Sequence, residues 1–233
     1  MQCFPNFSLI SFIILLCTAC SYTTAKAPIQ TVISALSLDG DIPDIGLMSN
    51  GKIESLNIYT KTRSRHVKYI GPRHLKLFRK LEVLNASGSP VLKQLGEVTL
   101  HGEHTRYLLL FSKTLQTDKE YSILAIPDSN SEFKAGTYRF INLAPYPIAL
   151  MIGDTKHLLD QSNTTDVTGQ FEHGNYYQSA LVSLREGREN PQAIFSGRIY
   201  FNQYIRTLFI LAPDANNDTG QVNIVSIPER VRN

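Results

Sequence analysis

Three segments in the second half of this 233-residue chain repeat three in the first half, in the same order. Gly96–Leu100 (GEVTL) is matched by Gly197–Phe201 (GRIYF), and Arg106–Phe111 (RYLLLF) by Arg206–Leu211 (RTLFIL). Ile123–Asp128 (ILAIPD) is matched by Ile224–Glu229 (IVSIPE). The offset is about one hundred residues in each case, the size of a single Ig-like sandwich. A chain with this pattern is constrained to two copies of one unit. Val67–Gly71 and Ala149–Gly153, each an apolar run ending in Ile-Gly, suggest a fourth correspondence.

The unit itself reads as strands. Short β-branched and aromatic runs recur between clusters of Gly, Pro, Asn and Asp, and no window holds a helical stripe. In the first half the expected strands are 31–38, 53–59, 66–70, 75–78, 81–84, 97–100, 106–111 and 121–126. In the second they are 137–143, 148–152, 157–159, 178–184, 193–201, 206–211 and 221–227. Leu75, Phe78, Leu81 and Val83 partly satisfy a helical spacing, so 75–84 is ambiguous. The expected fold class is all-β: two tandem antiparallel β-sandwich (Ig-like) domains, 28–130 and 131–233, after an N-terminal signal segment. The polar cluster Asp128-Ser129-Asn130-Ser131-Glu132 marks the boundary.

All three cysteines, Cys3, Cys17 and Cys20, lie in the first twenty residues. The run from Leu9 to Leu16 is apolar but shorter than the roughly 20 residues that cross a bilayer, and it has the length of a secretory signal core. It closes on Thr18-Ala19-Cys20, which resembles a bacterial lipobox with Cys17 where an aliphatic residue is usual. Cys20 is therefore the expected lipidation site, with the signal ending at 20; cleavage near Ala25 or Ala27 is the other route. Either route predicts export, to the periplasm or outer membrane as a lipoprotein or else as a secreted protein, and leaves a domain pair without cysteine. A chain of this length buries enough apolar surface to fold without disulfides. Net charge is +3 and 42% of residues are hydrophobic, which marks neither a disordered chain nor a strongly basic one.

At the start of the second half, Tyr138-Arg139-Phe140-Ile141-Asn142 alternates as a half-buried strand should. Pro145 and Pro147 then interrupt the ladder, and Gly153-Asp154 turns the chain after a second strand. An Arg-aromatic-aliphatic-Asn strand, a Pro-containing turn and a strand ending in Gly-Asp resemble the opening of an exported bacterial β-sandwich domain family of unknown function. The resemblance implies an envelope or surface domain and brings no catalytic residues.

Chemistry-bearing patterns are sparse. His101-Gly102-Glu103-His104 places two imidazoles beside a carboxylate, a weak zinc alternative at an expected hairpin turn; its counterpart near Asn202-Gln203-Tyr204 has no such ligands. Asp214–Gly220 has the alternating oxygens of a Ca²⁺ loop, but its glycine is one place late and Val225 stands where a closing Glu belongs, so a long hairpin loop is expected. Asp39–Asp44 reads as a turn. No Gly-x-Ser-x-Gly elbow, Walker loop or dinucleotide fingerprint occurs. Lys61, Arg63, Arg65, Lys68, Arg73 and Lys76 belong to a basic run (61–80) without a single carboxylate. In an extended backbone Lys61, Arg63 and Arg65 share one face, which would attract an anionic polymer or lipid headgroup; a charged edge strand guarded against aggregation explains the run without a ligand. Gly174–Gln178 reads as the start of a core strand, with an exposed tyrosine patch as the alternative.

These features predict a non-catalytic exported cell-envelope protein, a lipoprotein by its signal, acting as a structural or interaction module without a cofactor. The expected partner is an envelope protein or anionic polymer, with membrane contact through the N-terminal lipid and no nucleic acid. The alternatives are a metal-dependent or hydrolytic exported enzyme, and a binder of anionic glycan or lipid headgroups through 61–80.

Overall fold

The computed structural model describes residues 27–84, 88, 90–114, 119–184, 193–213 and 222–231. The expected leader, Cys20 and the 214–220 loop lie outside them. The described chain is all-β. The first half contributes β1 (Ile29–Ser37), β2 (Ile42–Ser49), β3 (Lys52–Ile58), β4 (Val67–Gly71), β5 (His74–Leu84), β6 (Pro90–Thr99), β7 (Arg106–Lys113) and β8 (Tyr121–Pro127). The second contributes β9 (Thr137–Asn142), β10 (Ile148–Ile152), β11 (Thr155–Leu159), β12 (Thr164–Thr168), β13 (Tyr176–Leu184), β14 (Ala193–Phe201), β15 (Ile205–Pro213) and β16 (Val222–Arg230).

Each half is a sandwich of two four-stranded sheets, ordered β3-β2-β5-β6 over β4-β1-β7-β8, and β11-β10-β13-β14 over β12-β9-β15-β16. Raising every strand number of the first half by eight reproduces the second. The three strongest sequence echoes fall on equivalent strands, β6 with β14, β7 with β15 and β8 with β16. The fourth does not: Val67–Gly71 is the edge strand β4, whose counterpart is β12, whereas Ala149–Gly153 runs along the central strand β10. Apolar alternation ending at a glycine is common to many strands, and here it misled.

Pairing is mostly antiparallel, but β1 runs parallel to β7 and β9 parallel to β15. The first strand of each unit meets the seventh only after the chain has passed through the other sheet, which supplies the crossover that parallel neighbours need. Two strands escaped the sequence reading. β2 begins inside the expected Asp39–Asp44 turn, where a register shift between Ile42 and Ile45 and a positive φ at Asp44 break the alternation. β12 (TTDVT) carries one aliphatic residue. The ambiguous 75–84 stretch is one strand, β5; its register shifts after Leu77 and Lys80 account for the disturbed period.

The two units pack inner sheet to inner sheet, giving four layers and three apolar cores. The first core lies within the first sandwich and the second within the second. The third, with Leu36, Leu108, Leu110, Phe133, Ile141, Leu208 and Ile210, lies between the units. Side chains along β7 alternate accordingly: Tyr107, Leu109 and Phe111 enter the first core, Leu108 and Leu110 the middle one. Along β15, Phe209 and Leu211 face the second core while Leu208, Ile210 and Ala212 face the middle. Strands covered on both sides read as continuous apolar runs, which is why RYLLLF and RTLFIL were the clearest echoes.

Candidate functional site

The densest ionisable cluster of the described chain lies where the segment between β8 and β9 passes the start of β15. Arg206 heads β15 and its side chain is fully buried. Its Nε and Nη2 donate to Glu229 Oε2 at 2.9 and 2.7 Å. Nη1 donates to the carbonyls of Asp128 and Phe133 at 3.2 and 2.9 Å, and Nη2 also reaches Asp128 Oδ2 at 3.3 Å. Arg63, from the loop between β3 and β4, pairs with the same two carboxylates: its Nη1 with Asp128 Oδ2, and its Nε 3.3 Å from Glu229 Oε2. Two buried guanidinium groups thus face two carboxylates, the arrangement that a water-poor interior requires of charge.

A third arginine grips the same segment. Arg139 on β9 donates from Nη1 to the carbonyl of Pro127 (2.7 Å) and from Nη2 to that of Glu132 (2.9 Å). It also makes a bidentate pair with Asp166 on β12, at 2.7 Å for both bonds. The ring of Phe133 lies between the arginines, its centroid 4.5 Å from the Arg139 guanidinium carbon and 4.9 Å from that of Arg206. The expected boundary turn is present at 130–132, with Asn130 and Ser131 exposed, but its flanks are held inward. Asp128, Ser129 and Phe133 are all buried, because the carbonyls of this segment end on guanidinium groups instead of water.

The outer side of the cluster holds His66 and Arg106. An Arg106 Nη2–H points at His66 Nε2, which accepts as a neutral imidazole. Burial first, and the Arg106 charge second, hold His66 below its usual 6.5. Burial pushes the Glu229 carboxyl up, but Arg63, Arg206 and Arg106 outweigh it and leave the group below its ordinary range. In the internal repeat Arg106 corresponds to Arg206 and Asp128 to Glu229. That correspondence was on view in the sequence, but it gave no sign that the pairs would converge.

The six basic residues of the candidate anion face are dispersed. Residues 59–66 form a loop, so Lys61, Arg63 and Arg65 do not alternate along a strand; Arg63 turns inward to Asp128. Arg65 donates to the Ser55 carbonyl. Lys68 stands exposed on β4 and Lys76 on β5. Arg73 donates to the Gly102 carbonyl and lies 3.3 Å from Glu103. Further along the run, Arg79 pairs with Glu120 and His74 with Glu97, since carboxylates distant in sequence meet these strands in space.

The His101–His104 segment is not a hairpin turn. It carries the chain from β6, in the outer sheet, to β7, in the inner one. His104 Nδ1 pairs with Glu132, and its ring packs edge-on against Tyr107 at 5.3 Å. Tyr107 Oη donates to the His101 carbonyl. His101 and its neighbours line an open cleft of about 830 Å³ with Arg73 and Gln30. A second cleft, about 720 Å³, is lined by Asp154, His157, Asp166, Glu172, His173 and Tyr176. Asp166 is already taken by Arg139, and His157 Nε2 is buried without a hydrogen-bond partner. Among the described residues, no three His, Cys, Asp or Glu side chains converge as a metal-binding group.

The motif residues of β9 have structural work. Besides Arg139, the fully buried Asn142 donates from Nδ2 to the carbonyls of Tyr146, Leu159 and Asp160, while its Oδ1 accepts from Ala144 N. It closes the Pro-containing turn onto the end of β11. Of the tyrosine pair in Gly174–Gln178, Tyr176 stacks on Phe201 in the second core, whereas Tyr177 is 59% exposed. No protein-family model and no curated protein matches this chain.

Proposed function

We propose that this chain is a non-catalytic exported envelope protein, carried on an acyl group at Cys20, whose double sandwich acts as a rigid interaction module. The observation behind this reading is the use made of its strongest ionisable cluster. Arg206, Asp128 and Glu229 bond to one another and to the linker backbone, Arg63 pairs with both carboxylates although its Nε and Nη2 are buried without a hydrogen-bond partner, and Arg139 adds Asp166 to the same scheme. Functional groups arranged for catalysis keep a donor or base directed at a substrate position; here the best-placed groups are spent on fixing two domains. A body fixed in this way presents its loops and outer sheets in constant relative positions, as a scaffold for surface contact does. The apolar run before Cys20 supports export, and the small residues Thr18 and Ala19 support acylation.

The test is metabolic labelling with radioactive palmitate in a bacterial host, followed by fractionation of the envelope. Label in the wild-type chain and its loss in Cys20→Ser, with the protein in the membrane fraction, is the expected result. A chain that stays in the cytoplasm, or one exported without label, removes the corresponding part of the proposal. Turnover by purified protein that falls on His101→Ala or His104→Ala would replace the module with an enzyme.

A further inference from the structure

The outward faces of the two outer sheets differ in a way their shared topology does not require. On the first, β3-β2-β5-β6, charge is balanced: Glu97 stands opposite Lys76 and contacts His74, Gln94 and Lys119. Lys119, then His74 and Gln94, lower the Glu97 carboxyl to about 2. That face also exposes Met48 and Ile53 (42 and 38%), but it sets a carboxylate among its cations and has no tyrosine pair. On the second, β11-β10-β13-β14, register places Leu158, Met151 and Leu181 at one end of the outward surface and Tyr177 beside Tyr200 at the other. Leu158, Met151, Tyr177 and Tyr200 are 44, 41, 59 and 41% exposed. The charged residues at outward positions of these strands are Lys156 and Arg198, both cations, and the Arg198 guanidinium lies over Tyr177 at 5.3 Å.

We infer that this second outer face rests on an anionic lipid surface. The inference builds on the reading of the chain as an envelope protein and supplies the face that meets the membrane. Tyrosines combine an apolar ring with a wet hydroxyl and settle at the headgroup level, and aliphatic side chains enter the acyl boundary beside them. Lys and Arg extend their charge back to lipid phosphates, and a carboxylate here would oppose that contact. A single weak contact of this kind acts together with an acyl anchor, because stable membrane attachment takes two signals.

The experiment is cosedimentation of the full chain, in a Cys20→Ser background, with vesicles of phosphatidylglycerol and phosphatidylcholine or of phosphatidylcholine alone. Both arms keep the same leader, so differences report the face. Binding to the anionic vesicles is expected to exceed binding to the neutral ones and to weaken with salt. Each cation removed should weaken it about five-fold, so Lys156→Gln with Arg198→Gln should lose at least ten-fold. Tyr177→Ser with Tyr200→Ser should weaken binding at every salt concentration, and Lys76→Gln on the opposite outer face should change nothing. Equal partition into both vesicles, or unchanged partition of the face variants, overturns the inference. So does a photo-crosslinker at position 177 that, in living cells, yields protein adducts and no lipid adducts. Palmitate labelling of the parent chain is read separately, so failure of the anchor and failure of the face are distinguishable.

Discussion

Asp128 meets Arg206 twice, through its backbone carbonyl at 3.2 Å from Nη1 and through its carboxylate at 3.3 Å from Nη2. One residue of the linker is thereby held at both its main chain and its side chain by a strand of the second domain. Asp128→Ala leaves two buried guanidinium groups short of a counter-charge. Losing one partner of such a cluster costs about 3–5 kcal/mol. Urea unfolding should show the midpoint falling by that equivalent, and a loss below about 1 kcal/mol would mean that the cluster is solvated in solution.

Acid should weaken the same junction. His66 and Glu229 both have folded-state pKa values below their ordinary ones, so the stability each adds is complete above its unfolded pKa and is lost as pH falls. His66 acts first, below its unfolded value near 6.5, and Glu229 follows below about 4.5. Unfolding free energies measured from pH 8 to pH 5 should decline more steeply for the wild type than for His66→Gln, which keeps an acceptor for Arg106 but cannot gain a proton. Parallel curves for the two proteins would dismiss His66 as the source.

Asn142 offers a sharper electrostatic contrast. Three backbone carbonyls converge on its amide nitrogen. Asn142→Asp sets a carboxylate against those oxygens, so the variant should be destabilised by on the order of 3 kcal/mol at pH 7. The deficit relative to wild type should shrink toward pH 4, where a protonated acid can again donate. A deficit that is the same at both pH values would show that shape, and not the donor, is what the site needs.

His157 is the reverse case. Its Nε2 is buried with no hydrogen-bond partner, a state that costs about 1–3 kcal/mol. His157→Leu removes that cost at similar volume, and thermal unfolding should shift upward. A downward shift would reveal a partner for the ring in the cleft it borders.

The sequence carried the strand class and the duplication because both depend on period and order. Continuous runs such as Arg106–Phe111 are legible when a strand is apolar on both sides. β2 was lost because a local register shift disturbed its alternation, and β12 because a Thr-rich edge strand has little apolar signal. The charge cluster was hidden for a different reason. Arg63, Asp128, Arg206 and Glu229 lie far apart along the chain, and no local spacing shows that a loop, a linker and two strands meet. The pairing within the basic run was hidden by the same token, since its neutralising carboxylates come from elsewhere.

Because β7, β9 and β15 bury both of their surfaces, neither sandwich can be treated as a bead on a string. Severing the chain between Pro127 and Thr137 would uncover Leu108 and Leu110 on one fragment and Leu208 and Ile210 on the other. Such fragments should seek each other out, so this molecule offers a natural split point for reconstitution: two inert pieces, expressed apart, that regain a common interior on meeting.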